Sequence, residues 1–156
     1  MRGTKAYHVV GQDASSADST RWHAIGETVL RHWQEMLRLD QWRISLGWND
    51  DRGWDYFGCV QPSDGRPEAR VTLWSYIPDA ETLERSVIHE LTHLVLMDFT
   101  RLGDQWREQV PEEMRVMYDS QWHEQLEQVV DHITMSVDGI AGGLITHLTL
   151  EALEKK

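Results

Sequence analysis

Residues 79–95 read DAETLERSVIHELTHLV, and the spacing inside this stretch decides how the rest of the chain is read. Leu83, Val87, Ile88, Leu91, Leu94 and Val95 recur at three- and four-residue steps, the mark of one buried helix face. Asp79, directly after Pro78, is placed to cap that helix. Glu81 and Glu84 fall in its first turns, where the positive end of the helix dipole favours acidic side chains. The stripe predicts a helix running to about Phe99. His89 and His93 lie four apart, so on a helix they share a face and can turn both imidazoles toward one metal ion. Glu90 sits about 100° round from His89 and reaches the same cavity without occupying the metal. His-Glu-x-x-His on a helix is the spacing that supplies two zinc ligands and a general base. The plainer alternative is two surface histidines beside the stripe, with Glu90 a solvated charge.

Upstream, the pattern changes period. In WRISLGW (42–48), Trp42, Ile44, Leu46 and Trp48 alternate with Arg43, Ser45 and Gly47, as a half-buried strand requires. NDDRGWD (49–55) has turn chemistry, YFGCV (56–60) reads as a short strand, QPSDGRPE (61–68) turns again, and ARVTLWSY (69–76) is a further strand with Val71 and Leu73 on one face. Two or three of these strands are expected to pair as antiparallel neighbours, because the connections are too short for crossover helices. Before them, Trp22, Ile25, Val29, Leu30, Trp33, Met36 and Leu37 predict an amphipathic helix starting at a Ser or Asp cap near Ser19, with Gly26 a local weakness. The polar run GQDASSADS (11–19) reads as a loop, so residues 1–18 are expected to form a loose arm.

Downstream, TRLGDQWREQ (100–109) reads as a polar linker to a second long helix. Pro111 suits its first turn, Glu112 and Glu113 follow, and Met114, Met117, Leu126, Val129, Val130, Ile133 and Val137 are its apolar positions. Gly139 is expected to end this helix or follow its end, leaving residues 139–156 as an appendage of helix or strand.

A catalytic zinc site needs a third protein ligand and an open position. Asp98 is too close along the chain and falls at the end of the same helix. Leu96 and Phe99 stand where the metzincin pattern requires glycine and histidine, which excludes that class. The second helix offers His123, Glu124, Glu127, Asp131 and His132. Glu127 and Asp131 are i and i+4 and therefore share a face. Glu127 would ligate the metal, and Asp131 could accept the free ring N–H of a ligand histidine.

The bulk numbers fit one soluble domain. The chain has 156 residues, a net charge of −11 and a pI near 5.0, so phosphate backbones and anionic lipid are poor partners. Eight Trp suggest a core built on aromatic anchors. Cys59, the single cysteine, permits no intramolecular disulfide and reads as a small buried apolar residue in a reducing compartment. Neither a signal peptide nor a membrane-spanning run is visible, so a cytoplasmic location is expected. His8, His23, His32 and His147 share no ligand spacing. Core packing is the better reading for Trp74, although with Tyr76 it could line a cleft.

With His89-Glu90-Leu91-Thr92-His93 followed by Glu127 to Asp131, the chain resembles the gluzincins. The order of helix, strands, IHELTHLVL and EQVVDHI over residues 20–137 is similar to the minimal zincins of phages and bacteria, including SprT-like and ImmA/IrrE-type peptidases. The resemblance implies a zincin-like α+β fold: a small antiparallel or mixed sheet packed on an N-terminal helix, the HExxH helix and a ligand-bearing helix. It also implies one zinc ion, hydrolysis of a protein or peptide substrate, and an edge strand that pairs with extended chain. The basic or zinc-ribbon extensions of SprT-like proteins and the DNA-binding partner of ImmA-type peptidases are absent from this sequence. Glu90 would take a proton from water and deliver it to the leaving amine, with Tyr118, His123 or His132 as oxyanion donor. The competing expectation is a zincin scaffold that holds zinc without turnover and serves as a protein-interaction module.

Overall fold

The computed structural model describes residues 16–50, 57–141, 148 and 151. Helix α1 (Ser16–Met36) is followed by strands β1 (Arg43–Asn49), β2 (Gly58–Pro62) and β3 (Glu68–Trp74). Helices α2 (Ala80–Val95) and α3 (Met97–Arg107), a 3₁₀ turn (Glu112–Met114) and helix α4 (Arg115–Ala141) complete the α+β architecture. Residues 1–15 of the expected arm, most of the NDDRGWD turn and most of the tail lie outside the described residues; Leu148 and Glu151 are helical. Helix α1 starts at Ser16, so residues 16–18 belong to it and not to a loop. No helix among the described residues is long and apolar enough to cross a membrane.

The sheet is mixed, in the order β1-β3-β2. Strand β2 pairs antiparallel with β3, as expected, but β1 pairs parallel with it, Leu46 opposite Val71 and Trp48 opposite Leu73. A parallel pair needs a long return path rather than a helix as such. Residues 50–67 supply one, with β2 on the far side of β3 forming part of it. The central strand accordingly buries Ala69, Val71 and Leu73 against Ile25, Val29, Leu30 and Trp33 of α1 and Leu83, Val87, Ile88, Leu91 and Leu94 of α2. Trp74 is buried, as its core reading requires. Gly26 is a point of close approach: a Cβ there would stand 2.9 Å from the Trp48 ring and 3.0 Å from Leu46 Cδ2, so its missing side chain lets α1 sit on β1.

Helix α2 begins as the sequence demands, with Asp79 Oδ1 accepting the Thr82 N–H at 2.7 Å. Glu84 departs from its expected role. It is fully buried and accepts a hydrogen bond from Trp33 Nε1 at 2.9 Å, joining α2 to α1. The helix also stops before Phe99, at Leu96 (φ −89°, ψ 9°), without a glycine or proline to mark the break. What read as a polar linker is α3. Phe99, Leu102, Gly103 and Trp106 form a helical stripe that straddles the expected boundary, and Gly103 is the only buried position on that helix. Asp98 opens α3 rather than closing α2.

Helix α3 rests on α4 through an aromatic cluster. Phe99, Trp106 and Tyr118 have ring centroids 5.1, 6.2 and 6.1 Å from that of Trp122, and the Tyr118 hydroxyl donates to Gly103 O at 2.8 Å. A Cβ on Gly103 would collide with the Trp122 ring. Gly103→Ala gains about 1 kcal/mol of helix propensity. Overpacking against a rigid ring costs about 1–3 kcal/mol and should outweigh it, because the colliding atoms are indole rather than the end of a flexible chain. Chemical denaturation should show a net loss of stability; a variant as stable as the parent would show that the two helices do not meet this closely.

Helix α4 differs from its sequence reading in two ways. It passes through Gly139 to Ala141, and of its expected apolar positions only Leu126 and Val130 are buried, whereas Met117 and Val129 are exposed and Met114 is exposed in the preceding turn.

Candidate metal centre

Because α2 is regular through residues 89–93, His89 and His93 stand one above the other, their Nε2 atoms 3.3 Å apart. Helix α4 presents Glu127 to both: Oε2 lies 3.4 Å from His89 Nε2 and Oε1 lies 3.5 Å from His93 Nε2. One ligand atom from each of the three residues falls within 4.8 Å of the others, a group that could hold a metal ion. Asp131, one turn along α4, places Oδ1 3.2 Å from His89 Nδ1. In neutral His89 that contact assigns the ring proton to Nδ1 and leaves Nε2 with its lone pair facing Glu127. A lone pair and a carboxylate oxygen face each other here, an arrangement that a cation between them relieves. Burial pulls the His93 pKa down, with the Glu127 carboxylate pulling the other way and His89 adding to the fall, so His93 too favours the neutral, ligating form.

Glu90 turns from the same helix toward the sheet. It is 6 % exposed, and its carboxylate accepts the backbone N–H of Val60 in β2. Gly58 makes this approach possible, since a Cβ there would come within 3.1 Å of Glu90 Cγ and Oε1. Burial pushes the Glu90 pKa up to about 8, the Glu127 carboxylate adds to the rise, and the Val60 hydrogen bond partly offsets it.

This shift sets a pH dependence for the metal-free protein. The folded state holds the Glu90 proton up to about pH 8, whereas the unfolded chain releases it near 4.5. Between those values the folded state binds more protons, so stability is fully present below 4.5 and falls as pH rises toward 8. His93, with a lowered pKa, works in the opposite sense below its unfolded value of 6.5. The difference between wild type and Glu90→Gln isolates the Glu90 contribution. In urea titrations with chelator present, Glu90→Gln should be the more stable by about 3 kcal/mol at pH 7 and by little at pH 4. Equal stabilities at both pH values would contradict the burial of this carboxyl.

The cleft around these groups has a volume of about 760 Å³. Gly58, Cys59 and Val60 of β2 form one wall, Leu126, Glu127 and Asp131 of α4 another, and Met97, Thr100, Arg101 and Asp104 of α3 a third. The α3 wall was not legible in the sequence, although the Phe99-Leu102-Trp106 spacing was the available signal. Cys59 is half-buried beside the cleft rather than a closed core residue; its thiol is hydrogen-bonded to the Thr72 side chain, and burial with the nearby Glu90 charge pushes its pKa up. Of the three expected oxyanion donors, His123 lines the cleft, its Nδ1 3.9 Å from Glu127 Oε1. Tyr118 does not line it and commits its hydroxyl to Gly103, and His132 is exposed outside it. No family model, curated protein or solved structure matches the chain.

Proposed function

We propose that the chain is a zinc-dependent peptidase of gluzincin type, in which His89, His93 and Glu127 hold one zinc ion and Glu90 is the general base. The observation that carries this reading is the placement of the buried Glu90 carboxyl between a three-donor group and the edge of a sheet. The donor set supports zinc. Nitrogen and oxygen ligands at about 2.0–2.1 Å in a tetrahedron stand about 3.3–3.4 Å apart. The His89 and His93 Nε2 atoms stand 3.3 Å apart, in keeping with that edge, and Glu127 reaches them through different oxygens, Oε2 3.4 Å from His89 and Oε1 3.5 Å from His93, with one donor atom of each residue within 4.8 Å of the others.

When bound, zinc would polarise a carbonyl and make water more acidic. The chain's own residues do the rest. Glu90 takes a proton from the attacking water and returns it to the leaving amine; a zinc ion beside it would lower its proton affinity and leave the carboxylate ionised and able to accept. Asp131 holds the His89 ring in its ligating tautomer. His123 is the oxyanion donor to test, as the candidate that faces the cleft. Strand β2 is the last strand of the sheet on this side, and an extended protein segment adding to its edge would run past Glu90. The single cysteine and the acidic surface favour a protein substrate met in the cytoplasm over nucleic acid or lipid.

The test is cleavage of unfolded protein substrates by the zinc-loaded chain, read against a chelated sample and one restored with zinc. Cleavage that follows the metal supports the peptidase; cleavage that ignores the chelator overturns it.

A further inference from the structure

The polar residues of α4 that face α2 extend beyond the three-donor group. Glu127, Asp131, Thr134 and Asp138 recur at steps of four, three and four, and Asp138 lies only about 20° round from Glu127 and about 16 Å along the axis. On α2 the matching residues are His93, His89 and Arg85. The pairs His93 with Glu127, His89 with Asp131 and Arg85 with Asp138 run in opposite directions along the two helices, so α2 and α4 form an antiparallel ladder. The last rung is the tightest. Arg85 Nε and Nη2 lie 3.0 and 2.9 Å from Asp138 Oδ2, and Nη2 also bonds Glu81 Oε1 at 2.7 Å. The Asp138 side chain is 12 % exposed, so its charge is answered by Arg85 rather than by water.

On the face toward α2 little else fixes the register of α4, whose other anchor is the contact of Tyr118 and Trp122 with α3. The buried apolar residues of α4 are Leu126 and Val130, with Val137 packed at the margin of the core. A slip of one residue moves a helix about 1.5 Å and turns it about 100°, which would swing Glu127 away from both histidines. Among the described residues, the other α2–α4 ion pairs all belong to the His–Glu–Asp group itself.

We propose that the Arg85–Asp138 pair is a register latch, holding α4 against α2 so that Glu127 already faces His89 and His93 before a metal ion arrives. Arg85 and Asp138 are positioning residues: they touch no ligand atom and act through Glu127. The proposal rests on the metal-binding reading of that group, and its test separates the two.

Zinc affinity is measured by competition with a chelating dye, cobalt is used as a spectroscopic probe of the ligand field, and amide exchange of α4 is followed in the metal-free protein. Arg85→Met should lose about tenfold in zinc affinity, equivalent to about 1.4 kcal/mol. It should be the worst variant, because it leaves a mostly buried carboxylate without its cation. Asp138→Asn should lose less, since Arg85 keeps Glu81. Arg85→Lys should recover most of the loss, and Arg85→Met/Asp138→Asn should lose less than the two single changes combined. In the metal-free variants exchange should quicken across residues 123–138 while α1 and β3 stay protected, and saturating cobalt should restore the wild-type spectrum.

An Arg85→Met protein within twofold of wild-type affinity overturns the latch, as does exchange that rises equally in α1 and β3. If the wild type takes up no zinc, the metal reading fails, and unchanged α4 exchange in the variants then overturns the latch as well.

Discussion

Glu90→Gln should abolish hydrolysis while leaving the metal in place. Glutamine has the shape of glutamate and can still meet the Val60 N–H through its carbonyl oxygen, so the junction between α2 and β2 is kept. It cannot take a proton from water. Loss of a positioned general base costs about 10²–10⁴ in rate, and because Glu90 is not one of the three clustered donors, metal content should stay at the wild-type level. Cleavage of a denatured protein, with elemental analysis of the same preparation, reads both halves. A variant that cuts at the wild-type rate removes Glu90 from the chemistry. A wild type that binds zinc and never cuts, under conditions that also admit its natural partner, identifies the scaffold as a metal-holding interaction module. The same substitution should raise metal-free stability at pH 7, so a loss of activity would not be traceable to unfolding.

Glu127→Ala should empty the site. His89 and His93 alone form a two-ligand helix face, and the carboxylate that reaches both nitrogens is supplied by α4. Removing an outer hydrogen-bond partner of a ligand typically costs 10–100-fold in affinity. Removing a ligand should exceed that range, so a loss of more than about a hundredfold is expected, with Asp131→Asn falling inside the 10–100-fold window. Dye-competition titrations of the three proteins order these effects. Glu127→Ala binding zinc as tightly as wild type would mean that another residue completes the coordination, and His123, which lines the same cleft, would be the first to examine.

The acidic surface gives both experiments a practical consequence. With a net charge of −11, the protein attracts cations nonspecifically, so metal titrations need enough salt to screen the surface while leaving the cleft intact.

Much of the centre is local and was therefore legible in the sequence. An i, i+4 pair of histidines on a helix capped by Asp79 converges whatever the rest of the chain does, because 3.6 residues per turn puts them on one face. Glu127 and Asp131 share a face for the same reason, which made them a candidate pair to meet the histidines. The alternation in β1 and β3 likewise needs nothing beyond the two-residue period of a strand.

What escaped the sequence depends on which surfaces meet. The parallel pairing of β1 with β3 follows from where β2 is placed, which no dipeptide encodes. The break at Leu96 has no glycine or proline behind it; α3 turns off because Gly103 can lie flat on Trp122 and Tyr118 can reach its carbonyl, contacts with residues fifteen or more positions away. Glu84 looked like a dipole partner and is a buried acceptor for Trp33, a bond spanning 51 residues. Cys59 and the α3 residues became cleft walls only when α3 and α4 closed over β2. The spacing His89-Glu90-x-x-His93 determined by itself where a metal could be gripped. Tertiary packing alone decided that Glu127 arrives there and that Glu90 is dry enough to hold a proton to about pH 8, because dehydration and carboxylate proximity belong to the assembled surfaces and not to any one segment.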